Sequence, residues 1–394
     1  MKKRILFYYY YCYGLGHIQR ILIQANAIKR KNPSFDVMVI NGGRPIGCFD
    51  WPKDIELIQF PVVTYGNRSI FEVAPRNISL SPKTLANLRK EMLISITESF
   101  RPNVVIVDFF PFDRRFLRSE IMPMLEHARK KSKKMKAISS TREIIGMNKL
   151  LWNTKIKRDV SRDIENYFDY VFIHGDPEIF KLDEGLSSKA KSKFIYTGYI
   201  VCKKKKRLTP RRIVHKNYNI NNSFLITASV GSGKDGFSLL KNVILAEKIL
   251  NIKKRHRYKF IISSGPVMSS ANYNKLVTLV GNNKNISFQN FRRELIDIIN
   301  ASDVSISMCG NNTCAETLLT RTKSIVVPRV KWEKEQLIRA RRLSELNVAR
   351  MIHPNKLSPG LLAYEIKRIL AGPPARHGID LGGADFVADF VKAI

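Results

Sequence analysis

The sequence predicts an α/β protein built from two Rossmann-like domains that face each other across a cleft. Short apolar runs bounded by turn residues alternate with longer helical patterns along the whole chain, and this alternation is typical of βαβ units with parallel strands. At 394 residues, the chain is long enough for two domains. A strongly basic stretch at residues 203–212 separates two complete sets of alternating elements.

The first set of elements predicts a parallel sheet with helices on both faces. Its strands are predicted from short runs rich in β-branched and aromatic residues, at residues 5–11, 37–40, 55–60, 104–107, 137–140, 170–174 and 194–196. Helical periodicity is clearest at residues 17–31, 84–100 and 116–131. The basic residues before the first apolar run suggest a signal peptide, but no small-residue cleavage site follows, so a buried first strand explains the run better.

The second set of elements repeats this pattern. Its strands are predicted at residues 224–228, 260–263, 286–288, 304–308, 324–327 and 349–352, with helices at 237–250, 293–300, 313–320, 333–346 and 359–370. We therefore expect a first domain over residues 1–202, a linker over 203–212 and a second domain over 213–394. The linker is predicted from its lysine run and from Pro210, which disfavours a helix.

The net charge is the most unusual feature of the composition. Lys and Arg total 68 against 33 Asp and Glu, which gives a formal net charge of +35. Such an excess attracts an anionic membrane surface, a nucleic acid or an acidic substrate, although a lysine-rich surface that only aids solubility explains it equally well. No nucleic-acid-binding motif accompanies the basic runs. A membrane surface is therefore a candidate partner, and nucleic acid is not expected.

The cysteines and the hydropathy pattern predict where such a protein works. None of the five cysteines forms a C-x-x-C pair, and an odd number in a long chain does not indicate a disulfide framework. No apolar run reaches the roughly 18 residues that cross a bilayer. We expect a cytoplasmic protein without a bound metal or other cofactor, attached at most peripherally to the inner face of the membrane.

The loop after the first predicted strand is the first candidate site. Gly14 and Gly16 allow a tight turn and a close approach to a ligand, and the helix that begins near His17 directs its positive end toward that ligand. An imidazole titrates near neutrality, so His17 suits a general base. The alternative is that His17 only caps the helix.

Asp108 is the rival candidate for the base. It ends another strand of the same half, and the neighbouring Phe-Phe-Pro-Phe run offers an apolar setting that raises the pKa of a carboxyl group. An equally good explanation is an ion pair with Arg114 or Arg115. We favour His17, because the glycines beside it leave room for an acceptor.

The glycine-rich loop 229–236 follows the first strand of the second half. Its order resembles a P-loop, but Ala228 and Asp235 occupy the positions where that motif requires Gly and Ser or Thr. Backbone N–H groups around Ser232 and Gly233 still suit a diphosphate. The alternative is an ordinary turn between strand and helix.

Another loop of the second half leads into a helix that opens near residue 312. Helix N-termini bind phosphate groups, which makes Gly310, Asn311 and Asn312 candidates for anion binding. Glu316 lies about one turn farther on, where a carboxylate can accept two hydrogen bonds from a ribose diol. Alternatively, Glu316 only complements the helix dipole.

Glu335 and Gln336 follow the strand predicted at residues 324–327. Their side chains offer hydrogen-bond acceptors and donors to sugar hydroxyls. The alternative is an acidic first turn of a helix, which is common.

In this order, the loops resemble glycosyltransferase family 28. The resemblance covers nearly the whole chain and is carried by residues 14–20, 108–115, 171–177, 196–199, 310–316 and 328–340. It implies the GT-B fold, transfer of a hexose or N-acetylhexosamine from a UDP-sugar to an unidentified acceptor, and no requirement for a metal.

The resemblance also implies roles for individual residues. Glu316 would hold the ribose, backbone near Phe291 would contact the uracil, and His17 would lie near the acceptor. Glu335 and Gln336 would hold the sugar. The residues implied to contact the diphosphate are Ser232, Gly310, Asn311 and Asn312.

Two other functions remain open at this point. A UDP-sugar hydrolase shares the Gly-x-Gly-His-x-x-Arg loop, and its histidine activates water instead of an acceptor hydroxyl. The second is a basic protein that binds nucleic acid or a membrane without catalysis.

Overall fold

The structure is a computed structural model that describes residues 2–10, 16–45, 51–62, 81–145, 152–182, 185–202, 208–252, 257–331, 334–373 and 375–394. The chain forms two compact units. The first unit comprises Met1–Ile200 together with Gly382–Ile394, and the second comprises Val201–Leu381.

The strands of the first unit all lie within or next to the predicted apolar runs. They are β1 Arg4–Tyr9, β2 Asp36–Asn41, β3 Glu56–Gln59, β4 Val104–Asp108, β5 Lys136–Arg142, β6 Tyr170–His174 and β7 Phe194–Tyr196. They form one parallel sheet in the order β3-β2-β1-β4-β5-β6-β7. Such strands are buried on both faces, which explains their continuous apolar sequences.

Helices cover both faces of this sheet. They are α1 Gly16–Lys31, α2 Pro82–Phe100, α3 Arg118–Lys131, α4 Thr154–Tyr167 and α5 Ser188–Lys191. Alternate residues of β1 point to opposite faces: Phe7 packs in the cluster that contains the apolar side of α1, and Leu6 packs in the cluster that contains α3. The central strand is therefore fully enclosed, and only its ends can present side chains to a ligand.

The second unit repeats this architecture. Its strands are β8 Ser223–Ser229, β9 Arg257–Ser263, β10 Ile286–Gln289, β11 Val304–Ser307, β12 Lys323–Val326 and β13 Arg350–Met351, and its helices are α6 Arg211–Asn217, α7 Phe237–Asn251, α8 Ser270–Val280, α9 Leu295–Ala301, α10 Asn311–Thr320, α11 Glu335–Glu345 and α12 Pro359–Ala371. The sheet is parallel, in the order β10-β9-β8-β11-β12-β13.

The last helix, α13 Gly383–Ala393, packs on the first unit rather than the second. Val387 and Val391 are fully buried in the cluster that contains α1. Arg30 and Lys31 at the end of α1 pair with Asp385 and Asp389. The predicted second domain, residues 213–394, was therefore too long at its end, because an apolar helix stripe at the end of the chain completes the first core.

The predicted linker also differs from the structure. Residues 203–207 lie outside the described part of the chain. Arg211 and Arg212 form the first turn of α6, directly after Pro210, because proline is well tolerated at a helix start. The backbone N–H of Thr209 donates to Asp297 Oδ1 at 3.0 Å. The second half of the predicted linker is thus part of the second unit.

In each unit, the strand order reverses beside the first strand. The neighbours of β1 are β2 and β4, and the neighbours of β8 are β9 and β11. Open α/β sheets bind ligands beyond the carboxyl ends of the strands at such a point. Among the described helices, none is long and apolar enough to cross a membrane.

Candidate active site

In the first unit, His17 and Asp108 lie side by side at the carboxyl edge of the sheet. His17 is the second residue of α1, which follows β1, and Asp108 is the last residue of β4. The imidazole Nδ1 lies 2.6 Å from Asp108 Oδ2. Because β1 and β4 are the strands between which the order reverses, this pair occupies the position where such sheets bind ligands.

Arg20 completes this cluster from one turn farther along α1. Its Nη2 lies 2.6 Å from Asp108 Oδ1 and 3.5 Å from His17 Nδ1. Arg20 and Asp108 are each only 2% exposed. The two carboxylate oxygens therefore have different partners, the imidazole on one and the guanidinium on the other.

An ionised Asp108 determines the tautomer of His17. Burial alone would raise the pKa of Asp108, but Arg20 and His17 outweigh burial and hold that pKa well below its usual range. A carboxylate can only accept, so His17 Nδ1 carries the hydrogen and donates it. The other ring nitrogen, Nε2, then has the lone pair and can accept a proton.

These contacts do not favour Asp108 as the base. A carboxylate whose pKa is strongly lowered is a weak proton acceptor, and both of its oxygens already accept hydrogen bonds. Asp108 orients His17 instead of competing with it. The sequence also suggested an ion pair between Asp108 and Arg114 or Arg115. In the structure, Asp108 pairs with Arg20 instead, and the arginines at 114 and 115 pair with other carboxylates.

Phe109 packs against the imidazole. The two ring centroids lie 4.8 Å apart in an edge-to-face arrangement, and the guanidinium carbons of Arg20 and Arg142 lie 5.3 and 4.8 Å from the phenyl centroid. Phe109 has φ +64°, which is rare for a bulky residue and recurs at functional sites. From the sequence, Arg20 was noted only as the last residue of the Gly-x-Gly-His-x-x-Arg loop, and Phe109 only as part of the apolar run beside Asp108. Arg20 lies three residues from His17 on one helix, a spacing that brings side chains together and could have indicated this contact.

The start of α1 carries the remaining predicted residues of this loop. Gly14 lies outside the described residues, and Gly16 is the first residue of the helix. No acidic side chain occurs in the first turn of α1, so no residue of that turn neutralises the positive end of the helix.

His174, at the end of β6, is a second buried histidine near this edge. Its Nε2 lies 2.7 Å from Ser140 Oγ and its Nδ1 lies 2.8 Å from Thr197 Oγ1. Burial, followed by the charge of Arg20, lowers the pKa of His174 to about 3. With both ring nitrogens engaged, His174 has a structural role.

In the second unit, the glycine-rich loop follows β8. Gly231 and Gly233 have φ +61° and +97°. A Cβ on Gly233 would lie 2.2 Å from the carbonyl oxygen of Ser264, so this position requires glycine. Gly231 faces open space, which leaves room for a ligand beside the loop.

Hydrogen bonds tie this loop to its neighbours. The carbonyl of Ser232 accepts from the N–H of Val267 at 2.8 Å, and Arg329 Nη1 donates to Asp235 Oδ2 at 3.0 Å. The loops after β8, β9 and β12 therefore support one another at the carboxyl edge of the second sheet.

The loop after β11 leads into α10. Cys309 is buried with φ +63°, and its carbonyl accepts from Arg339 Nη1 at 2.9 Å. Gly310 is the N-cap of α10, and a Cβ there would meet nothing within 4 Å. Asn311 and Asn312 form the first turn. An open helix N-terminus at this point suits an anionic ligand.

Glu316 and Phe291 both lie near this edge of the second sheet. Glu316 is half-buried in the second turn of α10. Phe291 is half-buried between β10 and α9. The loops before these residues come from β11 and β10, which lie on either side of β8 and β9.

Glu335, which is predicted to hold a sugar, is buried in the structure. It is 4% exposed, and its Oε1 accepts from Arg339 Nη2 at 2.8 Å. The guanidinium of Arg339 is fully buried and also donates to the carbonyl of Cys309. The i,i+4 spacing of Glu335 and Arg339 on α11 could have indicated this ion pair from the sequence. Gln336 is half-buried, and its Oε1 accepts from the N–H of Arg329 at 2.9 Å.

Among the described residues, no group of three or more His, Cys, Asp or Glu side chains is arranged to hold a metal ion. The candidate sites of both units are instead built from helix N-termini, glycine loops and the His17 cluster.

Residues 227–378 match the model of the glycosyltransferase family 28 C-terminal domain. The match begins in β8 and ends beyond α12, so it contains all the candidate donor residues of the second unit. No curated protein sequence matches the chain.

Solved structures with a similar fold cover the whole chain at low identity. MurG from Acinetobacter baumannii is 12% identical with a TM-score of 0.58, and the match covers 100% of each chain. UGT71G1 from Medicago truncatula, in complex with UDP-glucose, is 11% identical with a TM-score of 0.59 over 100% of this chain and 98% of that one. A putative UDP-N-acetylglucosamine 2-epimerase from Listeria monocytogenes is 12% identical with a TM-score of 0.60, over 100% and 95%.

These structures establish the fold, which transferases and an epimerase share. The family model assigns a domain type only to residues 227–378, which lie in the second unit. The chain therefore has the GT-B fold, and within it residues 227–378 match the C-terminal domain of glycosyltransferase family 28.

Proposed function

We propose that the protein transfers a sugar from a UDP-sugar to an acceptor hydroxyl, with His17 as the general base and without a metal ion. The hydrogen bond between His17 Nδ1 and Asp108 carries this proposal, because it leaves Nε2 as a proton acceptor at the ligand-binding edge of the first sheet. The family 28 domain in the second unit supports a nucleotide-sugar donor.

The proposed reaction is a single displacement. His17 Nε2 takes the proton of the acceptor hydroxyl while the acceptor oxygen bonds to the anomeric carbon. The bond between that carbon and the β-phosphate oxygen breaks, and UDP leaves with the electron pair. A sugar hydroxyl is a weak nucleophile, and a positioned base accelerates such a step by about a hundred- to ten-thousand-fold.

The leaving diphosphate needs stabilisation of its negative charge. The N-terminus of α10 and the backbone N–H groups near Gly231 can supply it, since both face open space. In this proposal, Ser232, Gly233 and the 310–312 turn contact the diphosphate.

The contacts to the ribose, the uracil and the sugar of the donor are proposed from the places of residues in the second unit. Glu316, farther along α10, holds the ribose diol, and backbone near Phe291 contacts the uracil. Gln336 contacts the sugar through its amide nitrogen, because its oxygen already accepts from Arg329. The donor sugar is a hexose or N-acetylhexosamine.

A panel assay tests this function. The protein is incubated with UDP-glucose, UDP-N-acetylglucosamine and GDP- and dTDP-sugars, with EDTA present, and with or without a cell extract as the source of acceptor. We expect protection against thermal unfolding by the UDP-sugars alone, and UDP release only when extract is added. Absence of protection by any nucleotide sugar contradicts the proposal, and release that requires added Mg²⁺ or Mn²⁺ contradicts metal independence.

A UDP-sugar hydrolase is the second candidate. His17 and Arg20 form the Gly-x-Gly-His-x-x-Arg pattern, and an imidazole oriented by Asp108 can deprotonate water as readily as a hydroxyl. UDP release from a UDP-sugar without extract, together with free sugar, would favour the hydrolase.

Glu316→Gln is expected to weaken UDP binding by roughly ten- to a hundredfold. The substitution removes the charge from a carboxylate proposed to accept from the ribose diol, and hydrogen bonds to charged groups contribute about 1.5–3 kcal/mol. Isothermal titration with UDP measures the change. Glu345→Gln on exposed α11 surface is the control, with affinity expected to stay unchanged. Normal UDP affinity in a folded Glu316→Gln protein would remove Glu316 from the donor site.

We also propose that the positive surface binds an anionic membrane, which places the cytoplasmic protein at the inner face. The end of α3 supplies one such surface: Lys130, Lys131, Lys133 and Lys134 are all exposed. Vesicles rich in acidic lipid should bind the protein, and about 0.5 M salt should release it. Replacing Lys130, Lys133 and Lys134 with Gln should weaken that binding, and equal binding to neutral vesicles would contradict the proposal.

A further inference from the structure

We propose that Arg20 is a positioning residue that keeps His17 neutral by sharing the carboxylate of Asp108, so that the base stays available in mildly acidic solution. The inference rests on the proposed role of His17. It concerns a residue that makes no direct contact with the reacting atoms in the proposed step.

The shared carboxylate is the central observation. Arg20 Nη2 and His17 Nδ1 each lie 2.6 Å from one oxygen of Asp108. The same Arg20 nitrogen lies 3.5 Å from His17 Nδ1. The three side chains therefore share a single possible anion, the Asp108 carboxylate. They are nearly closed to water, since the side chain of His17 is 11% exposed and those of its two partners are at most 2% exposed.

Charge balance then decides the state of the imidazole. A carboxylate beside a histidine normally favours the imidazolium form, because the opposite charges attract. Here the Arg20 guanidinium already balances that carboxylate. Protonation of His17 would place two cations around one buried anion, which disfavours the second positive charge.

Other groups around His17 act in the same direction. From the loop after β4, Phe109 packs its ring edge-to-face with the imidazole, and Arg114 contributes further positive charge. From β5, Arg142 lies over the phenyl ring of Phe109. From β6, His174 is neutral, since its pKa is about 3. Among the largest contributions to the pKa of His17, Asp108 is the group that raises it.

The net effect follows from these opposing contributions. Burial lowers the pKa of His17 most, Asp108 raises it, and Arg20 and Arg114 lower it further, so that it lies below the ordinary value of 6.5. A base is active in its neutral form, which is present above the pKa and is lost as the pH falls through it. The acid limb of the pH–rate profile should therefore lie below pH 6.5.

Replacement of Arg20 tests this role directly. In Arg20→Gln or Arg20→Met, the full charge of Asp108 acts on His17, and the pKa of His17 should rise. Nuclear magnetic resonance follows the imidazole Cε1–H signal of His17 between about pH 4 and pH 9, and this titration measures the pKa without any substrate. The Met variant keeps the apolar stem of the side chain and serves if the Gln variant does not fold.

Arg30→Gln is the matched control. Arg30 lies on the same helix but pairs with Asp385 at the far end of α1, so its loss removes one positive charge without touching the cluster. The pKa of His17 should not change in this variant. An equal rise in the Arg30 variant would overturn the proposal, because it would reflect net charge alone.

An unchanged His17 pKa in the folded Arg20 variant would also overturn it. Where turnover can be measured, the acid limb of the pH–rate profile should move upward together with the titration. If no nucleotide sugar binds or reacts with the unmodified protein, the proposed function fails, whereas the titration still reports on Arg20. The two failures are therefore distinguishable.

Discussion

His17→Ala is expected to lower turnover by about a hundred- to ten-thousand-fold while UDP affinity stays unchanged. The variant removes the nitrogen proposed to take the acceptor proton. It leaves the second unit, where the donor residues lie, unchanged. Single-turnover rates and UDP titrations of the same preparation measure the two effects separately.

Asp108→Asn should also lower turnover, but for a different reason. An amide can donate to His17 Nδ1, which would place the hydrogen on Nε2 and remove the base. It also replaces the anionic partner of the buried Arg20 guanidinium with a neutral amide, so a loss of stability should accompany the loss of rate. His17→Ala lacks that second effect, because Asp108 and Arg20 remain paired.

His174→Gln is the control for both variants. This histidine is also buried and lies near the same edge, but Ser140 and Thr197 contact its ring nitrogens. Its replacement should alter stability rather than the chemical step. If His17→Ala keeps near-normal turnover while Asp108→Asn loses a hundredfold at unchanged donor affinity, then Asp108 is the base and His17 only caps the helix.

The fold could be predicted from the sequence because parallel strands that are buried on both faces leave a local signature. The run 170–174 was predicted with the bounds that β6 has in the structure. The end of the chain was not assigned correctly, because an apolar stripe such as Val387 and Val391 shows that a helix must be covered, but not which core covers it.

The candidate site could be predicted only in part. His17 and Asp108 were both identified from their places after strands, yet the sequence offered them as rivals. They are 91 residues apart, and nothing local indicates that β1 and β4 are neighbours. That adjacency turns two competing bases into one hydrogen-bonded pair, and it brings Arg20 to the same carboxylate.

The burial of Glu335 was not predicted from the sequence either. An acidic residue after a strand suits a ligand when it is exposed, and burial cannot be read from a helix first turn. The structure buries Glu335 against Arg339, and Arg339 in turn holds the carbonyl of Cys309 in the loop that precedes α10. Arg339 therefore supports the loop that leads into α10.

Arg339→Met is expected to destabilise the second unit by about 3–5 kcal/mol, because it removes one partner of a buried ion pair and leaves the carboxylate of Glu335 without that cation. It also removes the donor to Cys309, whose φ of +63° needs external support. UDP affinity should fall as well, since the turn at Gly310 begins at the next residue. Denaturant unfolding and UDP titration measure the two effects.

Two further variants separate the causes of this loss. Arg342→Met, on the same helix, breaks an exposed pair with Glu345 and should change stability little. Adding Glu335→Leu to Arg339→Met also removes the buried carboxylate that lost the Arg339 cation, and this should restore part of the stability. UDP affinity should stay low, because the Cys309 carbonyl still lacks the Arg339 donor. If the double variant regains full UDP affinity, Arg339 does not position the donor loop, and its role is limited to neutralising Glu335.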